Sequence, residues 1–252
     1  MKFIGIIPAR YSSSRLPGKP LLEIQGKTMI RRVYEQAGKT LKHVYVATDD
    51  QRIVDEVNRF GGNVVLTKKT HHSGTDRCAE AIKKIGSTQY DVVINIQGDE
   101  PFIHPDQIKE LMSCFEDKRI QIATLIKKIN DASVITNPNI PKVIISYDGM
   151  AIYFSRTAIP YVRNKEQAEW HKHHTFYKHI GIYAYKISVL KDITKLPVSA
   201  LEKAELLEQN RWLENGYKIK TKTTDFQSNM VDTPEDYEKI KNIKGHYYFE
   251  NE

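Results

Sequence analysis

The stretch IGIIPARYSSSRLPGKPLL, residues 4–22, decides how the rest of the chain is interpreted. It opens with an apolar run, typical of a strand buried on both faces of a parallel sheet, which stops at Pro8. A polar loop follows that carries Arg10, Arg15 and Lys19, and its prolines exclude a continuous helix. Fixed cations and hydroxyl groups directly after a first strand predict a site for a polyanion.

The same loop has other possible interpretations. It fits a proline-stiffened surface loop with incidental arginines, and standard phosphate motifs do not account for it. The pattern G-x-G-x-x-G is absent, and Gly26-Lys27-Thr28, which resembles the end of a P-loop, has Leu21 where the first glycine belongs. Walker-type nucleotide binding is therefore not indicated.

The composition is that of an ordinary soluble globular protein. The 252 residues are 40% hydrophobic and 27% charged, enough for one large α/β domain. No apolar run approaches the ~20 residues of a membrane-spanning helix, and the first run is cut at Pro8 and Arg10, unlike a signal peptide. We therefore expect a cytoplasmic protein with no membrane partner. Cys78 and Cys114, which stand far apart, indicate neither a disulfide framework nor a zinc site.

The net charge of +7 raises the alternative of a non-catalytic protein that binds RNA or DNA. However, the lysines and arginines are dispersed among acidic residues, and no basic stripe with interleaved aromatics is present. We expect no nucleic-acid partner. The positive field instead suits small anionic substrates.

Alternating patterns predict the fold class. Strands at 43–48, 63–67 and 91–96 alternate with helices that run from Thr28 to about 39, from Asp49-Asp50 to 60, and from 76 to about 85. This alternation indicates βαβ units, hence an α/β fold with a doubly wound, mainly parallel, Rossmann-like sheet. Ligands bind such sheets beyond the carboxyl ends of the strands, which brings loops 8–19, 71–77 and 97–101 to one rim.

The middle of the chain changes character. Strand-like runs at 122–129, 142–147, 151–155 and 179–185, with a hairpin signal at Asp148-Gly149, predict a β-rich insertion at about 120–195 within a single domain, 1–252. The pattern then predicts a helix over 200–215 capped by Ser199, a strand over 217–224, and a last helix from Thr233-Pro234.

Two carboxylates are candidate metal ligands. Asp99 follows a buried strand in Gln97-Gly98-Asp99, which suits a Mg²⁺ ion shared with substrate phosphates. The alternative is a turn residue that caps the next helix. Asp232 stands before a helix start, where a capping role is common, and spacing alone does not bring it to Asp99.

Several motifs occur in the order of one family. The opening IPAR-Y-SSSRLPGKPL, then SGTDR, QGDEP, KHIGIYAY, LEQ and DTPED span almost the full length. The chain closely resembles the bacterial 3-deoxy-manno-octulosonate cytidylyltransferases, or CMP-Kdo synthetases. The resemblance implies transfer of CMP from CTP to the anomeric 2-hydroxyl of 3-deoxy-D-manno-octulosonate (Kdo), giving CMP-Kdo and pyrophosphate for lipopolysaccharide synthesis. It also implies a homodimer built on the insertion. A cytidylyltransferase for another acidic sugar, such as 8-amino-Kdo or a nonulosonate, stays open.

The resemblance also assigns roles to residues of this sequence. Asp99 and Asp232 would bind Mg²⁺, and Arg15, Lys19 and Asp99 would be catalytic. The nucleotide would be bound by Arg10, Arg15, Lys19, Ser73, Gly74, Thr75, Arg77 and Gln97. The sugar would be bound by Gln97, Arg156, His179, Tyr183, Glu208 and Gln209, with Arg156 a candidate for its carboxylate. Asn210 departs from the pattern, in which leucine is more frequent.

Overall fold

A computed structural model describes residues 1–13, 15–227 and 230–241 of the chain. The aromatic residues at 247–249 lie outside the described residues. Within the described part, the chain forms eleven strands. They are β1 (Phe3–Ala9), β2 (Glu23–Ile24), β3 (Lys27–Thr28), β4 (Val44–Thr48), β5 (Val64–Leu66), β6 (Val92–Asn95), β7 (Ile122–Ile129), β8 (Lys142–Ile145), β9 (Ala151–Ser155), β10 (Phe176–Lys186) and β11 (Ile219–Thr223).

The same residues form ten α-helices and four short 3-10 helices. The α-helices are α1 (Met29–Gly38), α2 (Gln51–Arg59), α3 (Gly74–Ile85), α4 (Pro105–Ser113), α5 (Ala132–Thr136), α6 (Trp170–His173), α7 (Ile187–Ile193), α8 (Ala200–Glu205), α9 (Glu208–Glu214) and α10 (Pro234–Lys241). The 3-10 helices are Lys19–Leu21, Ser87–Gln89, Cys114–Glu116 and Gln167–Glu169. Among the described helices, none combines the length and the apolar run needed to cross a membrane.

The chain divides into two compact units. The first unit comprises Met1–Lys109, Ala184–Thr194 and the described part of Phe226–Glu252. The second comprises Glu110–Tyr183 and Lys195–Asp225. It therefore begins earlier than the predicted β-rich insertion at about 120–195 and also includes the segment that carries α8, α9 and β11.

The first unit confirms the predicted α/β fold. Its strands follow the order β6-β1-β4-β5, and every pair is parallel. The chain starts at β1, builds outward through β4 and β5, and then returns to the other side of β1 as β6. This reversal beside β1 is the switch point at which doubly wound sheets bind ligands. Strand β1 also continues through Pro8, because its pairing with β6 ends at Ile6↔Asn95 and the missing N–H falls beyond that ladder.

A small apolar cluster fixes the loops of the first unit. Ile24, Met29, Phe102, Val231 and Ile240 are buried together, with Leu16 and Tyr237 packed against them. Leu16 belongs to the opening loop and Val231 precedes Asp232. Burial of these apolar side chains thus anchors polar neighbours that are distant in sequence.

The second unit is a mixed sheet with helices. Strands β7 and β11 pair in parallel, β10 lies beside β7, and β8 pairs antiparallel with both β10 and β9. The predicted hairpin at Asp148-Gly149 joins β8 and β9, and Gly149 has a φ of 74°, which glycine adopts readily. The unit also contains α5, α6, α8 and α9, so it is less purely β than predicted.

The predicted helix over 200–215 is wrong in one respect, because it is two helices. Helix α8 ends after Glu205, and Leu206 adopts a left-handed conformation with a φ of 51°. The Glu205 carboxylate accepts hydrogen bonds from Tyr153 Oη at 3.0 Å, Ser155 Oγ at 2.6 Å and the Arg156 amide at 2.9 Å. These tertiary bonds favour the break, although the local sequence is helical throughout.

Candidate active site

The loops beyond the carboxyl ends of the first unit's strands enclose a cavity of about 340 Å³. We call it the cationic cavity. Its lining residues are Pro8, Ala9, Arg10, Ser13, Arg15, Lys19, Pro20, His71, His72, Ser73, Gly74, Arg77, Gln97, Gly98, Asp99, Met230 and Asp232. Of the residues predicted for the nucleotide and the metal, the cavity brings together all except Thr75. Thr75 is buried and does not line it.

Lys19 lies between two carboxylates in this cavity. Its Nζ donates to Asp99 Oδ2 at 2.7 Å and to Asp232 Oδ1 at 3.3 Å. Arg15 also pairs with Asp232, and two-thirds of its side chain (66%) is exposed, against 12% for Lys19. Two cations therefore face two carboxylates. Lys19 is held between them, and Arg15 reaches solvent.

Long-range contacts bring the two carboxylates together. The Val231 amide donates to the carbonyl oxygen of Asp99 at 2.9 Å, which fixes the backbone beside Asp232. On the other side, the Asp236 carboxylate accepts hydrogen bonds from the amides of Asp232 at 3.1 Å and Thr233 at 3.0 Å. Asp236 thus caps the start of α10, while the side chain of Asp232 stays available to the cavity.

The carboxylate pair fits a hard cation shared with a ligand. Asp99 Oδ1 is buried and has no hydrogen-bond partner among the described residues. In the described part of the chain, no group of three or more His, Cys, Asp or Glu side chains forms a complete metal cage. Two carboxylates that depend on substrate oxygens for the remaining ligands are the arrangement that Mg²⁺ accepts.

Two glycines allow the loops that line the cavity to pack closely against Pro8. A Cβ on Gly98 would lie 2.9 Å from the carbonyl oxygen of Pro8, and one on Gly74 would lie 3.2 Å from Pro8 Cγ. Gly98 therefore holds the QGDEP loop against the end of β1. At α3, the Ser73 side chain caps the helix by accepting from the Asp76 amide at 3.1 Å.

Arg77 faces the cavity from a buried position. Its Nη2 pairs with Asp49 Oδ2 at 3.0 Å, and its Nη1 donates to Thr67 Oγ1 at 2.6 Å. Asp49 was predicted only as part of a helix start, so its role as the counterion of Arg77 was missed. The sequence signal was the doubled aspartate that follows β4, at the same rim of the sheet.

His71 also lines the cavity, and the sequence predicted no role for it. Its Nε2 contacts the Glu80 carboxylate, which also pairs with Lys84 Nζ at 2.8 Å and accepts from the Lys68 amide at 3.0 Å. Burial alone would raise the pKa of Glu80, but these hydrogen bonds lower it to about 2. Glu80 is therefore ionised and fixes the orientation of the imidazole. The two residues are nine positions apart, with a loop and a turn of helix between them, so no local sequence pattern predicts this pair.

The second unit contains a different polar group, which we call the His179 cluster: Thr124, His179, Tyr183 and Glu208. The His179 ring lies 5.2 Å from the Tyr183 ring, and Tyr183 lies 5.2 Å from Trp212. Burial lowers the pKa of His179 to about 3. Burial also raises the pKa of Tyr183 well above its ordinary value, with a further contribution from Glu208. Both side chains are neutral at physiological pH.

Helix α9 carries two of the predicted sugar contacts, Glu208 and Gln209. Glu208 Oε1 accepts from Arg211 Nη2 at 2.8 Å, and Gln209 is buried. Asn210, which departs from the family pattern, donates from Nδ2 to the Phe154 carbonyl at 3.0 Å. Asn210 therefore ties α9 to β9 by a hydrogen bond where an apolar side chain would pack.

Arg156 is committed to main-chain carbonyls. Its Nε donates to Glu205 O at 2.6 Å, its Nη1 to Pro138 O at 3.0 Å and its Nη2 to Leu206 O at 3.4 Å. Nearby, the fully buried Lys142 donates to the carbonyls of Asn137 at 2.8 Å, Ile140 at 2.7 Å and Arg156 at 2.5 Å. This geometry favours a structural role for Arg156, and its predicted contact with a sugar carboxylate gains no support.

Comparison with known proteins places the chain among the cytidylyltransferases. A family profile described as cytidylyltransferase matches residues 4–219. A 3-deoxy-manno-octulosonate cytidylyltransferase of Parabacteroides distasonis is 59% identical over 95% of this chain and 96% of its own length. That of Bacteroides thetaiotaomicron is 56% identical over 94% and 95%. A solved CMP:2-keto-3-deoxy-manno-octonic acid synthetase complexed with CTP has a TM-score of 0.88 and 42% identity, covering 96% of this chain and 97% of that one.

Proposed function

Because the chain belongs to the 3-deoxy-manno-octulosonate cytidylyltransferase family, we propose that it transfers CMP from CTP to the anomeric 2-hydroxyl of Kdo. The products are CMP-Kdo and pyrophosphate, and CMP-Kdo would serve lipopolysaccharide synthesis. One observation supports the chemistry most directly: Lys19 Nζ lies 2.7 Å from Asp99 Oδ2 and 3.3 Å from Asp232 Oδ1 in a cavity lined by further arginines.

The nucleotide triphosphate is the ligand of the cationic cavity in this proposal. Arg10, Arg15 and Lys19 bind its phosphates by charge-assisted hydrogen bonds, and Gly74 and Gly98 let the loops that carry them pack closely against Pro8. Asp99 and Asp232 hold Mg²⁺, which when bound neutralises phosphate charge. Ser73, Arg77 and Gln97 contact the rest of the nucleotide.

The transfer itself is an in-line displacement. The 2-hydroxyl oxygen of the sugar forms a bond to the α-phosphorus, the bond from that phosphorus to the bridging oxygen of the β-phosphate breaks, and the hydroxyl proton passes to water. Lys19 and Arg15 neutralise the charge that develops on the leaving pyrophosphate. Positioning and electrostatics carry the catalysis, and no side chain becomes covalently modified.

The acidic sugar is the ligand of the second unit in this proposal. His179, Tyr183, Glu208 and Gln209 contact its hydroxyl groups, as the family motif implies. A homodimer in the cytoplasm completes the proposal, and sizing in solution tests the dimer.

A pyrophosphate-release assay tests the proposed reaction. We expect the highest kcat/KM with CTP and Kdo, and a much lower value when UTP replaces CTP. A higher kcat/KM with 8-amino-Kdo or a nonulosonate would overturn the choice of sugar and favour the alternative. EDTA should abolish turnover and added Mg²⁺ should restore it; undiminished turnover in EDTA would contradict the metal assignment.

A further inference from the structure

The Thr124 hydroxyl on β7 has more polar neighbours than it has hydrogens. Its Oγ1 lies 2.7 Å from the Ile182 carbonyl oxygen, 3.2 Å from the Ile180 carbonyl oxygen and 2.9 Å from His179 Nε2. The Thr124 side chain is fully buried, so water does not satisfy its hydroxyl group. A threonine hydroxyl donates one hydrogen and accepts through its lone pairs.

Counting donors fixes the hydrogen on the imidazole. Carbonyl oxygens only accept, so the hydroxyl hydrogen is directed to the Ile182 carbonyl, which is the closest acceptor at 2.7 Å. The hydroxyl then has only lone pairs to offer His179. The 2.9 Å contact is a hydrogen bond only if Nε2 carries the hydrogen and donates it to Thr124 Oγ1.

The second ring nitrogen of His179 is therefore an acceptor. A neutral imidazole carries one hydrogen, and burial keeps the ring neutral by lowering its pKa to about 3. Phe154 and Tyr183 hold the ring from two sides at centroid distances of 5.1 and 5.2 Å. Among the described residues, the ring makes its one side-chain hydrogen bond at Nε2, which leaves the lone pair of Nδ1 for a ligand.

We propose that Thr124 is a positioning residue that locks His179 in the Nε2–H tautomer, so that Nδ1 accepts a hydrogen bond from a hydroxyl of the acidic sugar. This inference rests on the proposed function for the identity of the ligand. It also assigns the type of contact, since Nδ1 repels a carboxylate oxygen, which is likewise an acceptor. His179 thus selects a sugar by a hydroxyl donor, and Thr124 acts through His179 without touching the substrate.

Nitrogen NMR of the protein without substrate tests the lock. The chain has nine histidines, so the His179 signals are assigned by their loss in His179→Gln. We expect a protonated Nε2 and an unprotonated Nδ1 at pH 7 in the wild type and in Thr124→Ser, which keeps the hydroxyl. Thr124→Val, which has the same shape but no hydroxyl, should show a mixture of tautomers. A protonated Nδ1 in the wild type would overturn the proposal.

Kinetics of the same variants test the contact with the sugar. We expect Thr124→Val to raise the KM for Kdo by about tenfold, the size of one misdirected hydrogen bond, with the KM for CTP within about twofold of wild type. Thr124→Ser should behave as wild type. A Thr124→Val enzyme with an unchanged KM for Kdo would refute the selection of a hydroxyl. If CTP and Kdo give no turnover even in the wild type, the proposed function fails, while the NMR result still decides the lock.

Discussion

In the cationic cavity, Lys19 and Arg15 face two carboxylates in a cleft that reaches solvent, whereas in the His179 cluster an uncharged imidazole contacts a hydroxyl among aromatic rings. Ion pairs of the first kind can exchange one partner for another, as when a phosphate replaces a carboxylate on the lysine. Neutral donors and acceptors of the second kind have fixed directions. The first arrangement suits a ligand recognised by charge, and the second suits one recognised by its hydroxyl pattern.

The largest effect should come from removing one charge of the cavity. We expect Asp99→Asn to lower kcat by about a thousandfold, because the amide keeps the shape but loses the negative charge that would hold Mg²⁺ beside the phosphates. Pyrophosphate release at saturating CTP, Kdo and Mg²⁺ measures it. Asp55→Asn, an exposed change on α2, should stay within about twofold of wild type. Near-normal turnover of Asp99→Asn would sink the role of this cavity in catalysis.

Removal of the shared cation should have the next largest effect. We expect Lys19→Ala to lower kcat/KM for CTP by about a hundredfold, because the leaving pyrophosphate loses a counter-charge and the two carboxylates face each other. The matched control is Lys27→Ala, which removes an exposed lysine paired with Glu35 and changes the net charge equally. If both variants lose the same activity, the effect belongs to overall charge and not to the position of Lys19.

The uncharged imidazole of the His179 cluster should affect the pH dependence of stability. His179 has a folded pKa of about 3, below its unfolded value near 6.5. Below that unfolded value the unfolded chain takes up a proton that the folded protein does not, so stability is lost as pH falls. Between pH 6 and 5 we expect this group to weaken the folding equilibrium by about tenfold per pH unit.

Urea unfolding of wild type and His179→Gln measures this slope. The variant should lose most of it, with the residual slope coming from other groups such as His104, whose pKa burial also lowers. Carboxylates such as Glu80 act at lower pH, outside the chosen window. Equal slopes in the two proteins would show that the ring is charged or exposed.

The smallest effect concerns the break between α8 and α9. Leu206 is 77% exposed and has a φ of 51°, a conformation that disfavours a leucine. We expect Leu206→Gly to stabilise the protein by about 0.5–1 kcal/mol. Leu201→Gly, inside α8, should instead destabilise by about 1 kcal/mol, since glycine weakens helix interiors. Urea midpoints distinguish the two signs, and a destabilised Leu206→Gly would contradict the strain argument.

The cationic cavity was largely predictable because its residues follow from strand ends. The loop after β1 and the Gln97-Gly98-Asp99 turn after β6 meet at one rim in any doubly wound sheet, and periodicity located both strands. Asp232 was different. Its approach to Asp99 depends on the neighbouring Val231. The side chain of Val231 is buried, and its N–H donates a hydrogen bond to the carbonyl oxygen of Asp99. Both are long-range contacts, which no local sequence pattern encodes.

The second unit was less predictable because buried polar side chains override local propensity there. The sequence around Leu206 favours a continuous helix, yet the hydrogen bonds of Glu205 to β9 break it. The family resemblance made Arg156 a candidate for the sugar carboxylate, whereas its three carbonyl partners favour a structural role. Donors and acceptors that pair across the fold determine both features.

Lys142 offers a chemical probe of how the second unit opens. Its ammonium group ties together three carbonyl oxygens and is shielded completely from solvent, and burial lowers its pKa to about 8. Amine-directed reagents label exposed lysines in seconds but reach this one only when the strands around it open. The rate at which Lys142 is labelled, measured by mass spectrometry, therefore reports how often the unit that contains the His179 cluster opens.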